Sequence, residues 1–326
     1  MRETFTILGC GVAGLCVGAE LQSRGCGVNI IDPSEGPGPH GCSWWAGGML
    51  APDCEGAVAE GTIVNLGREA ASWWEGQGAE VSYSGSLVVA LDRDKRELDR
   101  FARRTENHDT LDRTGIAELE PQLAERFERA LFMHAEAHLN PRNSLSNLQE
   151  KLKANGAAFS AAGEVNDKVI DCRGLAAKDV LPDLRGVKGE MVVLSCPEVE
   201  LKRPIRLLHP RFPLYIVPRG DGVFMLGATQ IESGERGRAT VRSVVELLNA
   251  AYALHPAFGE AEVLEIGVDA RPAFPDNLPR ISKIRDQLFV NGLFRHGFLL
   301  APAMARMVAD YVMNGEEPEV WHAYSS

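Results

Sequence analysis

The sequence contains no CxxC pair, and its seven cysteines, at positions 10, 16, 26, 42, 54, 172 and 196, are odd in number. Neither a disulfide framework nor a zinc knuckle is indicated, and reduced thiols are expected. Basic residues are in deficit: 34 lysines and arginines face 45 acidic residues, giving a net charge of −11. Nucleic acid and an anionic membrane surface both require a basic patch, so neither is expected as a partner. No uninterrupted apolar run reaches the length of a membrane span. The chain opens directly on its first strand, so the expectation is no signal peptide and a cytoplasmic location. Internal repeats and low-complexity linkers are also missing. For 326 residues, enough for one large or two ordinary domains, this argues for domains interleaved along the chain rather than strung in tandem.

What is present begins at once. Thr4 to Leu8 reads as a strand, Gly9-Cys10-Gly11-Val12-Ala13-Gly14 as a loop opening a helix to Arg24, and Gly27 to Ile31 as a second strand ending on Asp32. This order suits a dinucleotide. Gly9 allows the tight turn, Gly11 lets a pyrophosphate approach the backbone, and Gly14 lets helix and strand pack closely. The helix N-terminus offers unpaired N–H groups and partial positive charge to the phosphates. Asp32, at the strand tip, can accept hydrogen bonds from a ribose diol and disfavours a 2′-phosphate.

After Asp32 the expected continuation of an NAD-binding unit is absent. Instead a turn-rich piece leads to Cys42-Ser43-Trp44-Trp45-Ala46-Gly47-Gly48-Met49-Leu50-Ala51-Pro52. Such a mixture of small and aromatic residues can pass close to a large flat ligand, or it can cover a core edge. Helices are expected over Asn65–Trp74, Asp92–Arg104, Pro141 to about Asn155, Val241–Leu254 and about Leu299–Asn314, the last stopped by Gly315. Strands are expected within Val81–Leu91, broken at Gly85, and over Lys168–Ile170, Gly189–Ser195, Phe212–Pro218, Gly222–Thr229, Glu262–Pro272 and Gln287–Val290. Gly220-Asp221-Gly222 reads as a hairpin turn. His134 and His138 have the i, i+4 spacing of a helical metal pair, but Pro141 follows too soon for that helix and no third ligand is evident, so no metal is expected.

Seven motifs in one order resemble the flavin-dependent D-amino acid oxidase superfamily, and most closely the glycine oxidases of thiamine biosynthesis. They are GCGVAG with Asp32, SWWAGGMLAP (43–52), HLNPR (138–142), GEMVVL (189–194), YIVPR with GAT (215–219, 227–229), ARP (270–272) and GLFRHGFLLAP (292–302). The resemblance implies an α/β and α+β architecture: a Rossmann-like FAD-binding domain of the glutathione-reductase type, from residues 1–80, 138–187 and 277–326. A substrate domain on a mainly antiparallel sheet would come from residues 81–137 and 188–276.

For the site, the resemblance implies FAD held by Gly9, Gly11, Val12, Ala13, Gly14 and Asp32, by Ser43, Trp44, Ala46, Gly47, Gly48 and Met49, by Val165 toward the adenine, by Arg173 and Gly174, and by His296, Gly297, Phe298 and Leu299. No cysteine or histidine falls where a covalent flavin linkage would need one. Arg271 resembles the family's carboxylate-binding arginine and Tyr215 the tyrosine on the same carboxylate, as a guanidinium fork and a phenol donor would suit. Read without the family, Arg271 is rather a structural ion pair and Tyr215 a half-buried strand residue. Arg295 is similar to the second active-site arginine, and Gln230 stands where relatives often carry a methionine near the substrate.

The implied reaction moves hydride from a small amino acid, glycine favoured, to flavin N5. It releases an imine, and O2 is reduced to hydrogen peroxide. In the thiamine setting the resemblance implies that dehydroglycine passes on to thiazole synthase. An amino acid dehydrogenase, a sarcosine-type amine oxidase and a flavin-binding protein without turnover are the alternatives. The oligomeric state is left open, a homo-oligomer included.

Overall fold

The computed structural model describes residues 3–163, 165, 168–209 and 214–323. Two sheets organise these residues. A six-stranded sheet runs in the order Arg280–Ile284, Gln287–Asn291, Val169–Asp171, Thr4–Leu8, Gly27–Ile31, Ala158–Ser160. All its neighbours pair parallel except the first two, which form an antiparallel hairpin. An eight-stranded sheet runs Glu262–Ala273, Arg185–Ser195, Val223–Gly227, Leu214–Pro218, Ile205–Leu208, Ser86–Ala90, Arg129–Met133, Asp109–Asp112. It is antiparallel apart from the pairing of Ile205–Leu208 with Ser86–Ala90. Both the parallel and the mainly antiparallel sheet match the expected fold class. Of the strand expected over Phe212–Pro218, Phe212 and Pro213 lie outside the described residues, and Leu214–Pro218 forms as read.

The opening unit folds as its spacing predicts: strand Thr4–Leu8, helix Val12–Ser23, strand Gly27–Ile31. Gly9 sits at φ 99°, in the left-handed region that glycine adopts without penalty. Gly14 is required for a different reason. A Cβ there would lie 2.0 Å from the carbonyl oxygen of Gly9, so the helix can lean on the strand only if the side chain is a hydrogen. In an ordinary helix interior alanine is better than glycine by about 1 kcal/mol. Here overpacking outweighs that gain, and Gly14→Ala is expected to destabilise the fold by about 1–3 kcal/mol. Denaturant melts check this, and a midpoint equal to or above wild type would contradict it.

The helix Gly297–Asn314 packs against the first helix with Leu300, Met304 and Val308 fully buried, and Gly315 ends it at φ 75°. Pro302 lies inside this helix and has no N–H to give the carbonyl of Phe298. That carbonyl accepts instead from the indole Nε1 of Trp74 at 2.9 Å, and the Trp74 ring stacks on Phe298 at 5.3 Å. A departure from the expected helix over Asn65–Trp74 lies beside this contact. Two short helices form, Gly61–Gly67 and Ala70–Gly76. The break falls where Gly67 lies against Leu299, close enough that a Cβ would meet it at 2.8 Å. His134 and His138 are not helical: His138 lies in the strand Ala137–Leu139, and no metal-ligand cluster occurs among the described residues. No helix among them is long and apolar enough to cross a membrane.

Candidate functional site

The carboxyl ends of the parallel strands and the face of the larger sheet enclose one cavity of about 950 Å³. A crevice outside the carboxyl ends of parallel strands is where open α/β sheets bind ligands, and this volume lies at the upper end for such sites. From the smaller sheet come Gly9, Gly11, Val12, Ala13, Asp32, Cys172, Arg173 and Gly174. Val165 lines it beside them. Asp32 is fixed by backbone donors: Oδ2 accepts from Cys10 N at 2.9 Å and Oδ1 from Ser34 N at 2.9 Å. Gly11 precedes the first helix and cannot cap it with a side chain; Ser43 Oγ accepts from Val12 N at 3.1 Å in its place. Arg173 is held by Asp171 and Asp179, its Nε 2.8 Å from Asp171 Oδ2.

The segment 43–49 crosses the cavity as the sequence suggested, with Ser43, Ala46, Gly47, Gly48 and Met49 lining it. Two buried or half-buried arginines hold it there. Arg219 donates to Gly47 O at 2.8 Å, Ala46 O at 3.3 Å and Leu139 O at 2.9 Å. Arg142 stacks between Trp44 and Trp45, its guanidinium 5.0 and 5.1 Å from the two rings, and bonds Glu265 at 2.7 Å. Two of the expected residues lie apart from the lining. Trp44 is not among the lining residues whereas Trp45 is, although the Arg142 guanidinium lies against both rings. Gly14 is also outside the wall, because its place is the contact with Gly9.

Toward the larger sheet the wall is made by Tyr215, Gln230, Arg271, Arg295 and His296, followed by Gly297, Phe298 and Leu299 at the start of the last helix. Tyr215, on Leu214–Pro218, lies over Gly47 and Gly227, where Cβ atoms would come within 2.7 Å of its ring or hydroxyl. Gln230 is exposed to the cavity. Arg271, near the end of Glu262–Ala273, crosses over Gly189 so closely that a Cβ there would meet Nη2 at 2.2 Å. Its Nη1 donates to Thr229 O at 3.1 Å. Among the described residues no carboxylate pairs with it. Burial pulls its proton affinity down, the neighbouring Tyr215 acting against that. Within the described residues this half-buried cation makes no salt bridge; Asp269 acts on it only through space and is itself paired with Arg236.

Arg295 follows Phe294, which sits at φ 50° in a tight turn tied by Phe294 N to Pro272 O at 2.9 Å. Its Nη2 bonds Glu55 Oε2, and its Nε lies 3.1 Å from His296 Nε2. Glu55 and Arg206 were not foreseen. Arg206 was open to detection as a lone charge in the apolar run Ile205–Leu208, since such a residue is buried only with a partner. For Glu55 no sequence signal exists. Burial would raise its carboxyl, but Arg295, His296 and Arg206 outweigh burial and hold it well below the usual carboxylate range.

The cavity also fits a flavin dinucleotide on its own features. Gly11 and the first helix N-terminus border it with only the Ser43 hydroxyl set on Val12 N, Asp32 stands at the strand tip, and among the described residues His296 Nδ1 is buried in the wall without a protein partner.

Comparison with known proteins agrees. The family model described as FAD dependent oxidoreductase (DAO) matches residues 4–311. A Rhizobium etli protein that carries the name of a thiamine biosynthesis oxidoreductase, ThiO, is 52% identical over 318 residues, spanning 95% of this chain and 97% of its own. A glycine oxidase of Pseudomonas aeruginosa is 27% identical, spanning 98% of this chain and 96% of its own. The crystal structure of glycine oxidase from Geobacillus kaustophilus superposes with a TM-score of 0.80 at 22% identity, covering 95% of each chain.

Proposed function

Since this chain belongs to the DAO family of FAD-dependent oxidoreductases, we propose that it oxidises glycine, or a similarly small amino acid, at Cα and releases the imine. FAD, when bound, supplies the two-electron acceptor for the hydride that leaves Cα and returns the electrons to O2 as hydrogen peroxide. The observation that carries the amino acid reading is Arg271, a guanidinium in the cavity wall with no carboxylate of its own among the described residues. A substrate carboxylate supplies the missing partner by bidentate bonding, and Tyr215 adds a phenol donor. With the carboxylate gripped, Cα is held at one place and the reaction becomes effectively unimolecular. No protein acid or base is needed if the amine arrives neutral. Gly9, Gly11, Ala13 and the first helix N-terminus would hold the pyrophosphate, Asp32 the ribose, and Ser43, Ala46 to Met49 and residues 296–299 the ring system, with Val165, Arg173 and Gly174 toward the nucleotide. The last helix points its N-terminus into this cavity, where partial positive charge favours electron-rich flavin. The imine, dehydroglycine, would then pass to thiazole synthase; a role in thiamine biosynthesis is supported by the name of the 52% identical relative.

The test is spectroscopic. Purified protein is expected to be yellow, to release its flavin on denaturation, and to bleach when glycine is added without air. Admitting air should restore the colour and form peroxide. A yellow protein that glycine, sarcosine and D-alanine all leave unbleached would be a flavin binder without this turnover, and bleaching with no peroxide on aeration would make it a dehydrogenase.

A further inference from the structure

Arg206, Arg271 and Arg295 line the same cavity, and a fork that suits a substrate carboxylate exists in each. Arg271 and Arg295 are near enough that the charge of one lowers the proton affinity of the other. Three equivalent anion sites in one pocket would bind a small amino acid in several orientations, of which one places Cα correctly. The structure resolves that conflict with a single side chain. Glu55, at the end of the short helix Pro52–Glu55, is 8% exposed and also lines the cavity. Its Oε1 accepts from Arg206 Nη2 at 2.9 Å, while Oε2 bonds Arg295 Nη2 and lies 2.9 Å from His296 Nε2.

We propose that Glu55 is a positioning residue: by engaging Arg206 and Arg295 with its two oxygens it leaves Arg271, among these three, the guanidinium open to the substrate carboxylate, and so sets which way the substrate lies. This rests on the amino acid oxidation reading above. It also explains why the site tolerates a buried carboxylate where its anionic substrate must enter: both oxygens of Glu55 are turned to guanidiniums. A purely structural clasp between the helix Pro52–Glu55, the strand Ile205–Leu208 and the start of the last helix makes a different forecast.

Two measurements on the holoenzyme separate them. The first is acetate binding by calorimetry, which needs a carboxylate site but no turnover; the second is flavin reduction at saturating glycine. Glu55→Gln frees two guanidiniums, so acetate should bind at least as tightly as to wild type while reduction slows on the order of tenfold or more, because the substrate is misoriented. The decisive arm is the double variant. Arg271→Leu should lose acetate binding, and adding Glu55→Gln should restore it without restoring reduction. A clasp role cannot produce that gain, so acetate binding no better in the double variant than in Arg271→Leu overturns the proposal. Should the glutamine variants fail to fold, Glu55→Asp decides. It keeps the charge but not the reach, so reduction must slow with acetate affinity unchanged, and wild-type reduction overturns the proposal. If glycine does not reduce the wild-type flavin, the functional reading falls, while the acetate arms still judge Glu55.

Discussion

Arg271→Leu is expected to keep both FAD and the wild-type melting temperature while losing at least about thirtyfold in kcat/KM for glycine, the equivalent of about 2 kcal/mol. The stability half of this forecast follows from what Arg271 lacks. Among the described residues it holds no carboxylate, and its hydrogen bond goes to the carbonyl of Thr229, so its removal strands no buried anion. Leucine fills part of the space above Gly189, and a half-buried cation held there against burial is given up. The kinetic half follows from what the substrate would lose. Truncating one partner of a desolvated charge pair costs about 2–5 kcal/mol, and the Tyr215 hydroxyl cannot by itself neutralise an anion taken out of water. Lysine should rescue poorly, being a point charge without the fork. Thermal melts and anaerobic flavin reduction on the same variant check both halves. A destabilised protein with normal reduction would return Arg271 to a structural role.

Asp32→Ala should weaken FAD by a factor of about ten to a hundred, corresponding to about 1.5–3 kcal/mol for a charge-assisted hydrogen bond to the ribose. The structure adds a second loss in the same direction. One carboxylate oxygen accepts from the Cys10 N–H within the glycine loop and the other from Ser34 N–H in the following turn, both at 2.9 Å. Alanine therefore loosens the loop under the pyrophosphate as well as losing the ribose contact. Asparagine keeps one acceptor oxygen, so Asp32→Asn is expected to fall between wild type and alanine. Titrating apoprotein with FAD measures the affinity, and reduction at saturating FAD measures the chemistry, which should stay near wild type. An unchanged dissociation constant would remove Asp32 from the site.

Several parts of the molecule were legible in the chain because each is decided locally. The turn at Gly9, the close packing at Gly14 and the strand tip at Asp32 lie within one strand–helix–strand unit, where spacing alone constrains the geometry. The helix Val241–Leu254 and the hairpin at Gly220–Gly222 were readable for the same reason, their apolar period and turn residues being properties of consecutive positions. Arg271 and Tyr215 were visible as motif members. That Arg271 makes no salt bridge among the described residues was not, since an arginine in a strand reads the same whether or not an acid faces it.

Packing decided the rest. The last helix comes close against Gly67 where two short helices meet, and Arg142 comes to lie against Trp44 and Trp45. Glu55 meets Arg206, Arg295 and His296 across 151, 240 and 241 positions of sequence. The sequence by itself determined a dinucleotide unit, two kinds of sheet and the residues that could grip a carboxylate. Only the tertiary structure decided which arginine is left open to do so, because a charge is free or paired according to what the fold brings within about 4 Å of it, and at that range Coulomb attraction in a partly buried site outweighs any local preference of the chain.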